Sequence, residues 1–129
     1  MSIPSLANAE LAVMELLWEV KGLTARDLRE QLYPGSAKAQ HGTVQRLLQR
    51  LESKGCVGRD RSGSAHLFKA LVGREAYAAS QLESLASKLT GGSLSPLITQ
   101  LLQDQKISDA EIMSLRSILN EALRSGHPS

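Results

Sequence analysis

Eleven residues between positions 40 and 66 have side chains suited to gripping a polyanion: Gln40, His41, Thr43, Gln45, Arg46, Gln49, Arg50 and Lys54, then Arg59, Arg61 and His66. Arginine offers a planar fork of donors that fits phosphate oxygens or the edge of a guanine, and a glutamine carboxamide pairs with adenine. Thr43 adds a hydroxyl, and a helix starting near it would add free backbone N–H groups that favour phosphate. The chain lacks the combinations that chemistry on a substrate needs. It has no nucleophile matched to a base, no cluster of metal ligands and no phosphate-cradling glycine loop. His41, His66 and His127 are scattered, and the single cysteine, Cys56, allows neither an internal disulfide nor a multi-thiolate zinc site. No enzyme is expected, and no metal or other cofactor.

The net charge is only +2, but it is spread unevenly. Residues 36–72 hold Lys38, Arg46, Arg50, Lys54, Arg59, Arg61 and Lys69 against Glu52 and Asp60, whereas acidic groups outnumber basic ones on either side. A polyanionic partner would be met in this segment. Arg50 and Arg59 have Glu52 and Asp60 nearby, but exposed pairs of that kind contribute little. Aromatic residues make up 3% of the chain, too few faces for stacking the bases of a single strand. The apolar fraction of 42% and the charged fraction of 22% are those of a globular chain. Met1 to Ala9 carries no positive residue leading into an apolar core, and no apolar run approaches the roughly 20 residues that span a bilayer. A reducing, cytoplasmic setting without a membrane partner is expected.

The elements that must position these groups are legible from periodicity. Leu11, Met14, Leu17 and Trp18, widened by Val13 and Leu16, mark a first helix with Asn8 as its N-cap and Gly22 as its stop. Trp18 falls on the apolar side and reads as core. Thr24-Ala-Arg-Asp27 is a local capping signal for a short second helix, whose Ala25, Leu28 and Leu32 face inward before Tyr33-Pro34-Gly35 ends it. In the third, helix 41–54, Val44, Leu47, Leu48 and Leu51 recur at i, i+3, i+4 and i+7. Thr43, Gln45, Arg46, Gln49, Arg50 and Lys54 occupy its other face, and Gly55 terminates it. Cys56, next to Val57, reads as a buried, inert thiol. Two short alternating runs around Ser62-Gly63-Ser64 then predict a basic hairpin. Only helical patterns follow: about Arg74 to Leu89, Ser93 to about Asp104, and one opened by Ser108-Asp-Ala-Glu111.

Three helices with a basic outer face on the third, followed by a basic hairpin, form the order of a winged helix-turn-helix. The expected fold is mainly α with a small β-hairpin wing: a DNA-binding winged helix over 1–72 and a helical dimerisation region over 73–129. Four apolar anchors hold helix 41–54 on the first two helices, which frees its opposite face for a major groove about 12 Å wide. Arg59 and Arg61 would then lie along the backbone or minor groove. Residues 73–129 offer three helices with almost no aromatic mass, too little core for a self-sufficient module. Burial against an identical copy, through Leu94, Leu97, Ile98, Leu101, Leu102, Ile112, Leu115 and Leu119, is the expected solution. The competing reading is a winged-helix adaptor that binds protein instead of DNA. Such a module would show an apolar patch where this chain concentrates positive charge.

The segments Ala9-Glu10-Leu-Ala-Val-Met14, Leu17-Trp18, Gly22-Leu-Thr24-Ala, Gly42-Thr43-Val44-Gln-Arg-Leu-Leu48 and Arg50-Leu-Glu-Ser-Lys-Gly55 resemble the penicillinase repressor (BlaI/MecI) family. The likeness continues through Arg59-Asp-Arg-Ser-Gly63, Gly91-Gly-Ser-Leu94 and Ile107-Ser-Asp-Ala-Glu111, from about Leu6 to Leu123. It implies a homodimeric repressor of palindromic double-stranded DNA operators, relieved by a regulatory protease that cuts the C-terminal region. This chain departs from the family pattern in three places. Ala39 and Gly42 stand where members carry tryptophan and lysine before the recognition threonine, so the operator sequence does not carry over. The family's Asn-Phe cleavage bond falls on Gln100-Leu101. The cysteine pair of copper-sensing relatives is missing, since no cysteine follows Cys56.

Overall fold

A computed structural model describes residues 3–36 and 38–126. The order is α1 (Asn8–Glu19), α2 (Ala25–Leu32), α3 (His41–Ser53), β1 (Val57–Asp60), β2 (Leu67–Ala70), α4 (Arg74–Leu89), α5 (Ser95–Gln103) and α6 (Asp109–Arg124). Two compact units divide between Leu82 and Glu83, so the first runs past the boundary expected at 72 and takes in the opening turns of α4.

The core of the first unit forms where the three apolar stripes meet. Val13, Met14 and Leu17 of α1, Leu28 of α2, and Val44, Leu47, Leu48 and Leu51 of α3 are buried together, with Cys56, Val57 and Phe68 closing the cluster. α2 starts as its capping residues dictate: the Asp27 N–H donates to Thr24 Oγ1 at 3.0 Å, and the Thr24 N–H donates back to Asp27 Oδ2 at 3.0 Å. α1 corrects the expectation for its start. Asn8 is already helical and Ala7 is the N-cap; Ala7 has no polar side chain to cap the first N–H groups, and Glu10, one turn on, accepts the Ala7 N–H at 2.8 Å. α3 ends at Gly55, whose φ of +75° lies in the left-handed region that lets the chain turn directly into β1.

The two strands pair antiparallel, Val57 opposite Ala70 and Asp60 opposite Leu67. Their turn is stabilised by Asp60, whose Oδ1 accepts both the N–H and the hydroxyl of Ser62, at 2.9 and 2.7 Å. Those bonds, the hydroxyl's first, hold the Asp60 carboxyl below the usual range. Of the alternating residues in β2, Phe68 is the one that faces the core, while Leu67 and Lys69 face out. Leu23 flanks the free edge of β2 through a reciprocal pair of backbone bonds with Phe68, at 3.0 and 2.8 Å. Trp18 anchors the far end, its Nε1–H donating to the Val72 carbonyl at 2.8 Å. The wing is therefore fastened along β2 and at its base.

In the second unit, Ser108 caps α6 by accepting the Glu111 N–H at 3.2 Å. Neither α5 nor α6 has a fully buried residue. Leu94, Ile98, Leu101, Leu102, Ile112 and Leu119 are all exposed, whereas Leu97 and Leu115 are half-buried. An apolar groove of about 300 Å³ runs between Ile98 and Leu102 on α5 and Ile112, Leu115 and Leu119 on α6.

Candidate nucleic-acid interface

Because Val44, Leu47, Leu48 and Leu51 are buried, the 3.6-residue period turns Arg46, Gln49 and Arg50 outward, and all three are exposed. They line one open depression of about 380 Å³ with Ser53 and the edge of Lys54. Among the described residues neither arginine has an ion-pair partner. Such unpaired guanidinium forks on a helix face retain their full donor capacity.

The start of α3 has no side chain capping its backbone N–H groups. Gln40, its N-cap residue, instead accepts the Thr43 hydroxyl at 3.0 Å, which fixes both side chains beside the open helix end. His41 is exposed next to them. Gln45 is half-buried on the flank that faces the wing, and shares a second depression of about 470 Å³ with Thr24, Arg26, Arg59, His66 and Phe68. At the tip of the hairpin Arg61 is exposed and unpaired among the described residues.

Two expected contact residues also have partners within the protein, and both keep some exposure, 31% for the Lys54 side chain and 19% for that of Arg59. Lys54 donates to both oxygens of Glu10, at 2.7 and 3.0 Å, and to the Ser5 carbonyl at 3.2 Å. Glu10 is only 2% exposed, and this buried carboxylate holds the Lys54 ammonium, whose side chain still borders the outer face. Burial pushes the Glu10 carboxyl up, but the Lys54 ammonium, the Ala7 N–H and the Arg50 guanidinium together hold it below the usual carboxylate range. Arg59 is the second case. Its fork grips Glu52 of α3, at 2.6 and 3.2 Å, and its guanidinium lies 4.7 Å from the Phe68 ring centre. His66 Nδ1 is 3.3 Å from the same guanidinium. Of the two nearby acids, Arg59 pairs with Glu52, while Asp60 accepts from Ser62. Arg59 thus couples the wing to α3.

Three further cations border this surface. Arg26 of α2 reaches the depression beside Gln45, and Lys21 and Lys69 line another of about 450 Å³ at the base of the wing. Arg26 and Lys21 lie in a stretch where acidic residues outnumber basic ones. Only folding brings them beside residues 40–69. Cys56 is buried at the end of α3, and burial pushes its thiol up, which disfavours the reactive thiolate. Among the described residues no group of three or more His, Cys, Asp or Glu is gathered, and His127 lies outside the described residues.

A family model described as "Penicillinase repressor" matches residues 6–121. The chain is 25% identical to the penicillinase repressor of Bacillus licheniformis over 119 residues, which is 92% of this chain and 92% of that protein. It is 22% identical to the penicillinase repressor of Staphylococcus aureus, over 90% of this chain and 91% of the relative. With the methicillin resistance regulatory protein MecI of Staphylococcus aureus strain N315 it shares 24%, over 90% and 94%. A solution structure of the DNA binding domain of the repressor BlaI aligns with a TM-score of 0.48 at 25% identity, over 60% of this chain and 94% of that one. With the family model covering both compact units, from the end of the N-terminal segment into α6, the chain belongs to the penicillinase repressor family.

Proposed function

We propose that this protein is a cytoplasmic, homodimeric transcriptional repressor that binds palindromic operator DNA by inserting α3 into the major groove. The observation that carries the reading is the outer face of α3, where Arg46, Gln49 and Arg50 stand exposed and unpaired opposite four buried anchors. Arg46 and Gln49 would read base edges. Thr43, His41, Gln40 and the open backbone at the start of α3 would hold phosphate, with Arg61 and His66 reaching the flanking backbone from the wing. Gln45 lies between the two sets. Lys54 and Arg59, paired with Glu10 and Glu52 but partly exposed, would contact phosphate at the edges of this surface. Arg26, which pairs with Glu30 at 3.1 Å on the exposed surface, would extend the phosphate-binding surface together with Lys21 and Lys69.

Residues 73–129 supply the dimer in this reading. Support comes from the exposed leucines and isoleucines of α5 and α6, which leave apolar side chains in water on both helices. A two-fold axis would set the two α3 helices about 34 Å apart, facing successive major grooves. Release would come from a regulatory protease cutting within this region. The decisive experiment is selection of bound duplexes from a random library, followed by affinity measurements across salt concentrations. Enrichment of a palindrome, with log affinity falling linearly in log salt, is the expected result. No enrichment, or binding indifferent to salt, overturns the proposal.

A further inference from the structure

The residues before α1 pack Ile3 and Leu6 against the core and also make a set of polar contacts with α3 and α4. The Ile3 N–H donates to Ser80 Oγ at 2.8 Å, and the Leu6 N–H donates to the Tyr77 hydroxyl at 2.9 Å. Between them, the Ser5 carbonyl accepts from Lys54 at the end of α3, at 3.2 Å. Tyr77 and Ser80 lie one turn apart on α4 and are 8% and 7% exposed, in a helix whose other residues up to Leu82 are largely in solvent. A buried serine on an otherwise exposed helix is unusual unless its hydroxyl is bonded, and here it serves a backbone N–H that would otherwise be orphaned. α4 is also attached through α1: the Tyr77 ring lies 6.3 Å from that of Trp18, and Arg74 reaches Glu15 and Glu19 at 3.1 and 3.0 Å with side chains close to half exposed or more.

We infer that residues 3–6 are a strap joining the end of α3 to α4, and that Tyr77 and Ser80 are positioning residues that restrict the dimer to one spacing of DNA half-sites. α4 is a single uninterrupted helix through which the chain leaves the first unit. A stiff exit concentrates the second recognition helix at one distance from the first, which gives high effective concentration at that spacing and little elsewhere. A loose exit spreads the same probability over many spacings and lowers the peak. The strap touches none of the residues proposed to meet DNA except Lys54, which it engages through the Ser5 carbonyl. Spacing and single-site affinity are therefore separable.

This inference rests on the dimeric DNA-binding reading, and its test separates the two. The probes are synthetic duplexes built on the palindrome selected by the full-length protein: one half-site alone, the native pair, and pairs with the centre lengthened or shortened by one base pair at a time. The comparison is between the unaltered chain and Tyr77→Phe/Ser80→Ala. The expected double variant binds the single half-site within about twofold of the unaltered chain, loses roughly tenfold on the native pair, and discriminates less among spacings. Should the pair of changes impair folding, Tyr77→Phe alone keeps the ring in place, removes one hydroxyl and is read on the same duplexes. An unchanged spacing profile with full affinity for the native pair, in a folded variant, overturns the strap. If the unaltered chain binds paired sites no better than single ones, the dimeric reading fails, and the inference fails with it.

Discussion

Arg46 and Arg50 stand one helical turn apart on the exposed face of α3, yet losing each should have a different signature. Arg46→Ala is expected to weaken operator binding by on the order of 1–3 kcal/mol and to relax preference at one base-pair position. Arg50→Ala is expected to weaken all duplexes alike and to reduce the salt slope. Anisotropy titrations over a set of single base-pair substitutions distinguish the two patterns. Glu10 is a stability residue with a pH signature. Its carboxyl titrates below the ordinary value of 4.5 in the folded chain, so its contribution is fully present above that pH and is lost as the pH falls through the folded value. Glu10→Gln should destabilise the protein at neutral pH by about 1–2 kcal/mol, discounted because Lys54 retains some access to water. The gap between the two proteins should close below about pH 4.5. Urea unfolding at pH 7 and pH 3.5 checks this, and a gap that stays constant would refute the assigned role.

At the scale of elements, the wing behaves as part of the core at its base and as a solvent-exposed loop at its tip. Phe68 is buried among the residues of the first three helices, and the backbone on its free edge is bonded to Leu23. Phe68→Ala should therefore cost about 3–5 kcal/mol, since it empties a site that three helices and Arg59 surround. Arg61→Ala, at the exposed turn, should change stability by no more than about 0.5 kcal/mol while still reducing affinity for DNA. Denaturant midpoints and binding constants measured on the same two variants make the comparison. A large stability loss in Arg61→Ala would mean that the tip is tied to the fold by contacts other than those described.

For the whole molecule, the question is what covers the second unit. Leu119 is 62% exposed and Ile112 is 37% exposed on one side of α6. A charge placed at Leu119 should thus leave a lone chain folded and disrupt only an interface between copies. Leu119→Glu is expected to convert a sedimenting dimer to a monomer with unchanged helical circular dichroism. A dimer that survives this change would place the interface elsewhere. Severing the chain tests regulation. Gly91 and Gly92 have φ of +63° and +94° and lie exposed between α4 and α5, so a protease site inserted there should be reached without unfolding. Cutting it should lower affinity for the palindrome by about 10²–10⁴-fold, because each winged helix then binds its half-site alone. Unchanged affinity after complete cleavage would show that α5 and α6 are dispensable for repression.

The sequence by itself determined the helices, the hairpin and the outward face of α3, because each depends on residues within one or two turns of one another. Thr24 and Asp27 cap α2 locally, and the four anchors of α3 set its orientation through the 3.6-residue period alone. Arg46, Gln49 and Arg50 were legible as a surface for that reason. The tertiary structure alone decided which cations stay free. Lys54 and Glu10 are 44 residues apart, and only the packing of α1 against the end of α3 brings that carboxylate into the interior and commits the ammonium to it. Arg59 and Glu52 are seven apart, but across the junction of a helix and a strand, where neither period predicts a meeting. The extension of the first unit to Leu82 likewise depends on contacts such as Ile3 with Ser80, separated by 77 residues. Periodicity shows which face of an element is apolar. It carries no information on which distant polar group will lie opposite a buried charge, and that pairing settles how much of a basic side chain remains available to a partner.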